Sequence, residues 1–360
     1  MAWLKKKLTK SLLAPIVILA SLPSVARAEK FFLPTPNAAV AEPAIYLQPT
    51  APGMANGGFG LVREGGTRFH AGIDIRPVAT SPDGEPVDPI FSVAAGRVVY
   101  VNRVADHSDF GIYVLIEHDE LSLPATTLYA HLATVRPDIA PGMNMATGEA
   151  VGTMGRSGNG CYAIPKEQAH LHFGLGLRLG DGNAFIRWYA LQGYGDPNHH
   201  GIWNALNMAF IDPLPILQGK TLPLADHLRT LPTAFVTKIF IGQVPPLLLR
   251  YPTLWTNRME ADRKNIAGFA VEWDCHGFPK SWTSFPGKGV DRVASVQLLH
   301  WQKALLDPAL RRKALVRDCD GAVQLGDCTL QTVEKIFGVP TKCIVDSPPN
   351  FSKGVDGQER

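Results

Sequence analysis

A mainly β body, built as an antiparallel sheet or sandwich, is what this 360-residue sequence predicts, with a small mixed α+β extension behind it. Three observations carry that expectation. Short runs rich in Val, Ile, Tyr and Thr follow one another between residues 58 and 180, and no helical period of useful length appears among them. Turn signals separate the runs, at Pro82-Asp83-Gly84, Pro141-Gly142 and Ser157-Gly158-Asn159-Gly160. The 34 Gly and 29 Pro fit a chain with many turns.

In chain order, residues 1–28 read as a secretory signal. Lys5, Lys6, Lys7 and Lys10 form a positive start, Leu12–Leu19 an apolar core too short to span a bilayer comfortably, and Ala26-Arg27-Ala28 a small-x-small cleavage pattern. An uncleaved anchor is the alternative. Residues 29–57 read as a Pro-rich leader or linker, since Pro34, Pro36, Pro43, Pro49 and Pro52 break any long helix. A loose tether is the plain expectation, and a strip lying across a groove the other.

Strands are expected at Phe91–Val101, with a break at Gly96, and at Gly111–His118, Thr126–Leu132, Glu149–Met154 and around His170–Phe173. Residues 181–217 close this unit, giving a domain over 58–217. Trp188, Tyr189 and Trp203 serve there as aromatic anchors, and His199 and His200 sit in a polar stretch that reads as solvated loop. His107 and His118 read as loop and strand-end residues.

Residues 218–360 form a second unit of unknown role. Val236–Ile241 reads as a strand. Ser295 is placed to cap a helix over Val296–Asp307, and Thr329 a second helix that ends at Gly338 and Pro340. Residues 347–360 are polar and expected to fray.

Charge excludes little and implies less. Removing the five basic residues of the signal from the 35 leaves 30 against 32 acidic ones, a net of −2, which gives no general argument for nucleic acid. The five cysteines, Cys161, Cys275, Cys319, Cys328 and Cys343, all follow the signal. An oxidising compartment favours disulfides among the last four, in a pairing that spacing alone does not select, with Cys161 left free. A Cys-rich zinc site is the weaker alternative, because no Cys-x-x-Cys occurs.

The chemistry is concentrated in three segments. His170 and His172 are two apart, so on a strand they project from one face. His70 and Asp74 are four apart and share a face in either extended or helical backbone. His131 stands between them in Leu128-Tyr129-Ala130-His131-Leu132. A catalytic zinc takes three N/O ligands and keeps a fourth position for water. His70, Asp74 and one His of the 170/172 pair supply that set. The other His and His131 are suited to proton transfer near neutral pH. The His-Glu-x-x-His pattern of other zinc proteases is absent.

These blocks resemble the three signatures of the M23 metallopeptidases, the lysostaphin and LytM type. Ala94-Ala95-Gly96-Arg97-Val98-Val99 is similar to the family's Ala-x-x-Gly-x-Val strand, and Thr147–Gly152 to its Gly-rich segment. The resemblance covers about residues 58–180. It implies a lysostaphin-type β domain with a narrow groove, one Zn2+ held by His70, Asp74 and His172, and catalysis by His131 and His170. It also implies peptidoglycan as substrate, cleaved at cross-links or stem peptides. The path over Asn159–Gln168 is longer than usual and is expected to reshape one groove wall.

The function expected is therefore an exported zinc endopeptidase, periplasmic or extracellular, with no nucleic-acid partner and no membrane association after signal cleavage. The alternative is a catalytically silent relative that binds and activates another wall hydrolase. For residues 218–360, a cell-wall or regulatory protein partner stands beside a packing extension with no separate activity.

Overall fold

The structure is a computed structural model that describes residues 29–49, 57–66, 68–160, 164–194, 197–219, 223–258, 262–289, 292–302, 316–319 and 322–344. The signal expected at 1–28, Cys161, and the terminus expected to fray lie outside these residues. The described chain is mainly β, with antiparallel pairing in every sheet and one parallel pair.

A hairpin of β1 (Gly60–Arg63) and β2 (Arg68–His70) leads into β3 (Ile73–Ile75). Strands β4 (Pro89–Phe91), β8 (Leu132–Val135) and β10 (Ala150–Met154) form a three-stranded sheet. The larger sheet runs β12 (Met208–Ile211), β11 (Leu171–Arg178), β7 (Ala125–Ala130), β6 (Tyr113–His118), β5 (Gly96–Asn102) and β9 (Asn144–Met145), with β3 pairing on β11.

Strand alternation sets its two faces. On β6, Val114 and Ile116 enter a core with Ile73, Ile75, Val98, Leu132 and Phe173, while Tyr113 and Leu115 pack on the opposite face with Leu128 and Phe210. The next chain segment is the helix Gly182–Leu191, capped by the Asp181 carboxylate, which accepts from the Ala184 N–H at 3.0 Å. Its Trp188 is buried, as an aromatic anchor should be.

The leader is not a loose tether. The Phe32 N–H donates to the Val93 carbonyl, and the Phe91 N–H to the Pro34 carbonyl, at 2.8 and 2.9 Å. A one-turn helix over Pro43–Tyr46 then delivers Tyr46 and Leu47 into the core, with Leu47 bridging Ile75. Proline at the first helical position costs no hydrogen bond, so the prolines that exclude a long helix still permit this turn.

The C-terminal part builds a second sheet, ordered β15 (Pro279–Pro286), β14 (Ile266–Trp273), β13 (Phe235–Phe240), β16 (Ala294–Trp301) and β19 (Thr341–Ile344). β17 (Val316–Cys319) and β18 (Ala322–Leu325) form a separate hairpin. One apolar core joins Leu175, Leu177 and Ile211 of the first sheet to Phe235, Ile239, Phe269, Trp273 and Trp282 of the second. The two sheets therefore share buried surface, and removal of one exposes the other.

Two expectations in this part are corrected. Residues 294–301 are strand, not the start of a helix capped by Ser295: Ala294 and Val296 alternate inward, and β13 and β19 pair on either side. Neighbouring strands override the local helical spacing of the leucines. The last helix spans Asp327–Phe337 and ends at Gly338 as read, but its cap is Gly326, and Thr329 is buried within the first turn.

The disulfide expectation is corrected as well. Cys275, Cys328 and Cys343 are free thiols, and the Cys319 side chain lies outside the described residues. Cys275 follows β14 and Cys343 lies on β19, with β13 and β16 between them. Three strand spacings come to about 14 Å, well beyond the roughly 7 Å that a disulfide bridges between Cα atoms.

Candidate metal centre

Two strand pairings on β11 assemble the centre of the site. Asp74 on β3 stands directly opposite His172 on β11, and Ala130 of β7 stands opposite His172 on the other side. Cross-strand partners present their side chains to one face, so Asp74 and His172 meet. His170, two residues earlier, projects the same way. His70 closes β2 and reaches the face through the tight Ala71–Gly72 link. A Cβ on Gly72 would lie 2.4 Å from the Phe173 carbonyl oxygen, so only glycine allows this approach. His131 sits just after β7 with φ of 60°, a left-handed conformation uncommon for a residue with a Cβ, and this aims its ring at the face.

Backbone carbonyls fix the imidazole tautomers. His70 Nδ1 donates to Gly58 O at 2.6 Å, His131 Nδ1 to Ser157 O at 2.7 Å and His170 Nδ1 to Gln168 O at 2.6 Å. A carbonyl only accepts, so each Nδ1 carries the proton and each Nε2 keeps a lone pair. His172 is reversed. Its Nδ1 points to the cluster, and its Nε2 is buried without a partner.

The donor set fits a small divalent cation. His70 Nε2 lies 2.9 Å from His172 Nδ1 and 3.1 Å from Asp74 Oδ1, and His172 Nδ1 lies 3.2 Å from that same oxygen. A tetrahedron with bonds of about 2.0–2.1 Å has edges of about 3.3 Å. Two imidazoles and one carboxylate are the mixed N/O set that zinc-like ions prefer. Among the described residues this is the group able to hold a metal. His170 Nε2 stands 3.3 Å from Asp74 Oδ1, and the His131 ring lies 4.9 Å from that of His170.

Burial and charge agree with this use. Asp74 is fully buried, which by itself would raise its pKa. The neighbouring rings of His170, His70 and His172 instead hold its carboxyl well below the usual range. Burial pushes His131 well down, lowers His170, and takes His172 to about 4. At neutral pH these three rings are uncharged, and His131 and His170 keep their Nε2 lone pairs.

All five residues singled out in the sequence thus converge. One that sequence reasoning missed is Arg63 on β1. Its Nη2 pairs with Asp74 Oδ2 and lies 3.0 Å from His70 Nε2. Nothing in the Gly-rich run around it marks it as a site residue. The expectation for the His199/His200 pair is corrected in part. His200 is buried, with Nδ1 2.9 Å from the Tyr100 hydroxyl and Nε2 2.8 Å from His107 O, while His199 stacks on His107. His118, at the end of β6, is buried and spans Ala95 O and Thr127 Oγ1.

Residues 68–183 match the model of peptidase family M23, so the resemblance carried by the sequence blocks holds over this stretch. Solved structures similar to the chain include a zinc-containing peptidase from Vibrio cholerae, at 24% identity and a TM-score of 0.28 over 41% of this chain and 37% of that one. A putative glycyl-glycine endopeptidase LytM from Ruminococcus gnavus matches at 23% identity and a TM-score of 0.30, over 44% and 49% of the two chains. The catalytic domain of the antimicrobial peptidase lysostaphin from Staphylococcus simulans matches at 18% and 0.28, over 46% and 91%. The matched part is under half the length of the Vibrio and Ruminococcus chains. No curated protein matches.

Proposed function

We propose that the M23-type stretch makes this chain an exported zinc-dependent endopeptidase that hydrolyses peptide bonds in peptidoglycan cross-links or stem peptides. The peptidase unit in this reading is 58–217. One observation carries it: four imidazoles and one carboxylate from separate segments meet, with backbone carbonyls fixing three rings so that they turn Nε2 to the site, and with His172 turning Nδ1 to it.

His70, Asp74 and His172 would hold the zinc. When bound, it lowers the pKa of a water towards about 7 and polarises the scissile carbonyl. The protein's own groups do the rest. His170 and His131, anchored through Nδ1–H, present Nε2 lone pairs beside the donor set. Between them they accept the proton of the attacking water, return one to the leaving amine, and in the protonated state stabilise negative charge on the carbonyl oxygen. Their depressed pKa values keep them basic-site free at neutral pH, ready to accept.

The second reading is a silent relative that binds and activates another wall hydrolase. The contact of Arg63 with two of the donors favours it. The complete ligand set and both further histidines favour the enzyme. In the proposed setting the protein is periplasmic or extracellular, peptidoglycan is its partner, and nucleic acid and membrane are not. Among the described residues no helix is long and apolar enough to cross a membrane. A cell-wall or regulatory protein is the partner proposed for residues 218–360.

The test is digestion of purified peptidoglycan by the chain beginning at Glu29, with and without a zinc chelator, reading released fragments by mass. Chelator-sensitive loss of cross-linked dimers supports the enzyme and identifies the bond. Intact peptidoglycan with zinc bound favours the silent relative.

A further inference from the structure

The C-terminal sheet reaches the metal centre through a short physical chain. Arg63 and His70 belong to the β1–β2 hairpin, a two-stranded ribbon, which has little stability of its own. A bulge between Leu61 and Arg63 shifts the register and turns the Arg63 side chain inward, where it is only 13% exposed. The hairpin's outer side carries Phe59 and Phe69, in edge contact at 5.2 Å. Into this pair fits His276, from the turn between β14 and β15, with ring centroids 5.1 Å from Phe59 and 6.0 Å from Phe69. The approach is so close that a Cβ on Gly60 would lie 2.8 Å from His276 Cε1, and Gly60 has φ of 94°. The Asp274 carboxylate holds the turn, accepting from the His276 and Phe278 N–H groups at 2.9 and 2.8 Å.

What Arg63 does at the inner end follows from counting lone pairs. His70 Nδ1–H is committed to Gly58 O, so Nε2 has one in-plane lone pair. A guanidinium only donates. At 3.0 Å, Arg63 Nη2 uses the lone pair that a metal would need. It also neutralises the Asp74 carboxylate, the one anionic donor of the set. Arg63 and a cation therefore cannot hold these atoms together.

We propose that Arg63 is a guanidinium latch that competes with the metal for His70 Nε2 and Asp74, and that His276 keeps the latch closed. This gives the C-terminal sheet a part in regulating the site, and it rests on the metal-centre reading above. Metal binding swings Arg63 out, and whatever loosens the Asp274–Phe278 turn makes that easier.

The experiment is competition for Zn2+ against a chromophoric chelator, using the chain from Glu29 and its variants. Arg63→Met keeps the apolar stem and removes the donors. It should tighten zinc by about tenfold or more, the factor that one charge-assisted hydrogen bond represents. His276→Ala should tighten it by a smaller factor in the same direction. Arg97→Ala, on an exposed ion pair far from the hairpin in sequence, should leave it unchanged. Unchanged or weaker binding in Arg63→Met overturns the latch. Should that variant not fold, hydrogen exchange of the Gly60–Phe69 amides in the parent chain decides: zinc should speed it, and slower exchange overturns the proposal. Absence of stoichiometric zinc in every variant, the parent included, sinks the metal-centre reading itself.

Discussion

Asp74 and His172 face each other across the β3–β11 pair, with Asp74 Oδ1 3.2 Å from His172 Nδ1 and both side chains buried. Every other feature of the site is arranged around this pair. His70 and His170 approach the same carboxylate oxygen, at 3.1 and 3.3 Å, and Arg63 takes the other.

Asp74→Asn keeps the shape and removes the only anionic donor. Zinc affinity should fall by at least about 100-fold, beyond the usual loss for an outer-sphere change. His70→Ala and His172→Ala should lose zinc and peptidase activity together. Metal content after dialysis, measured beside turnover, checks this; full zinc occupancy in Asp74→Asn would contradict it.

His131→Ala and His170→Ala leave the three donors in place. Zinc should stay bound while turnover drops by about two to four orders of magnitude, the size of a general acid–base contribution. Retained turnover in both variants would remove them from the chemistry.

The metal-free protein should lose stability as pH falls below neutrality. In the fold His172 has a pKa of about 4, against 6.5 for a free imidazole, and burial lowers His131, His170 and His118 in the same direction. Between those values the unfolded chain binds more protons than the folded one. Stability therefore falls as pH drops through 6.5 towards 4, and is fully present above 6.5. The depressed Asp74 extends the loss to lower pH. Thermal unfolding in chelator from pH 4 to 8 should show a rising Tm that levels near 6.5, and a flat profile would count against buried neutral histidines.

Leu47→Ala should destabilise the fold by about 2–5 kcal/mol, the range for emptying a packed leucine site. Leu47 is buried in the same core as Ile75, next to Asp74. Urea unfolding tests it. A change within about 0.5 kcal/mol, as for an exposed tether, would contradict the packing of the leader.

Much of the site was legible because its signals are short in sequence. The two-residue spacing of His170 and His172 becomes one sheet face in any strand. The four-residue spacing of His70 and Asp74 survives as a β2–turn–β3 link that needs Gly72. The strands of the first sheet were legible for the same reason, since period-two alternation and turn residues act locally. The C-terminal part was less so. Val236–Ile241 matched β13 within a residue, but the leucines after Ser295 carry a helical spacing that pairing with β13 and β19 overrides.

By itself, the sequence determined which five side chains to look for at the site and which runs of the first sheet become strands, because residue type and near-neighbour spacing carry that information. It did not determine how the donors are prepared. The carbonyls of Gly58, Ser157 and Gln168 that set three tautomers are backbone groups without a sequence signature, placed only when the loops close. Packing of the leader and the free cysteines likewise follow from long-range contact. So does the clearest case. Arg63 and His276 are 213 residues apart in numbering, and only the folded hairpin, pressed between the metal centre and the C-terminal sheet, puts them on opposite sides of one small ribbon.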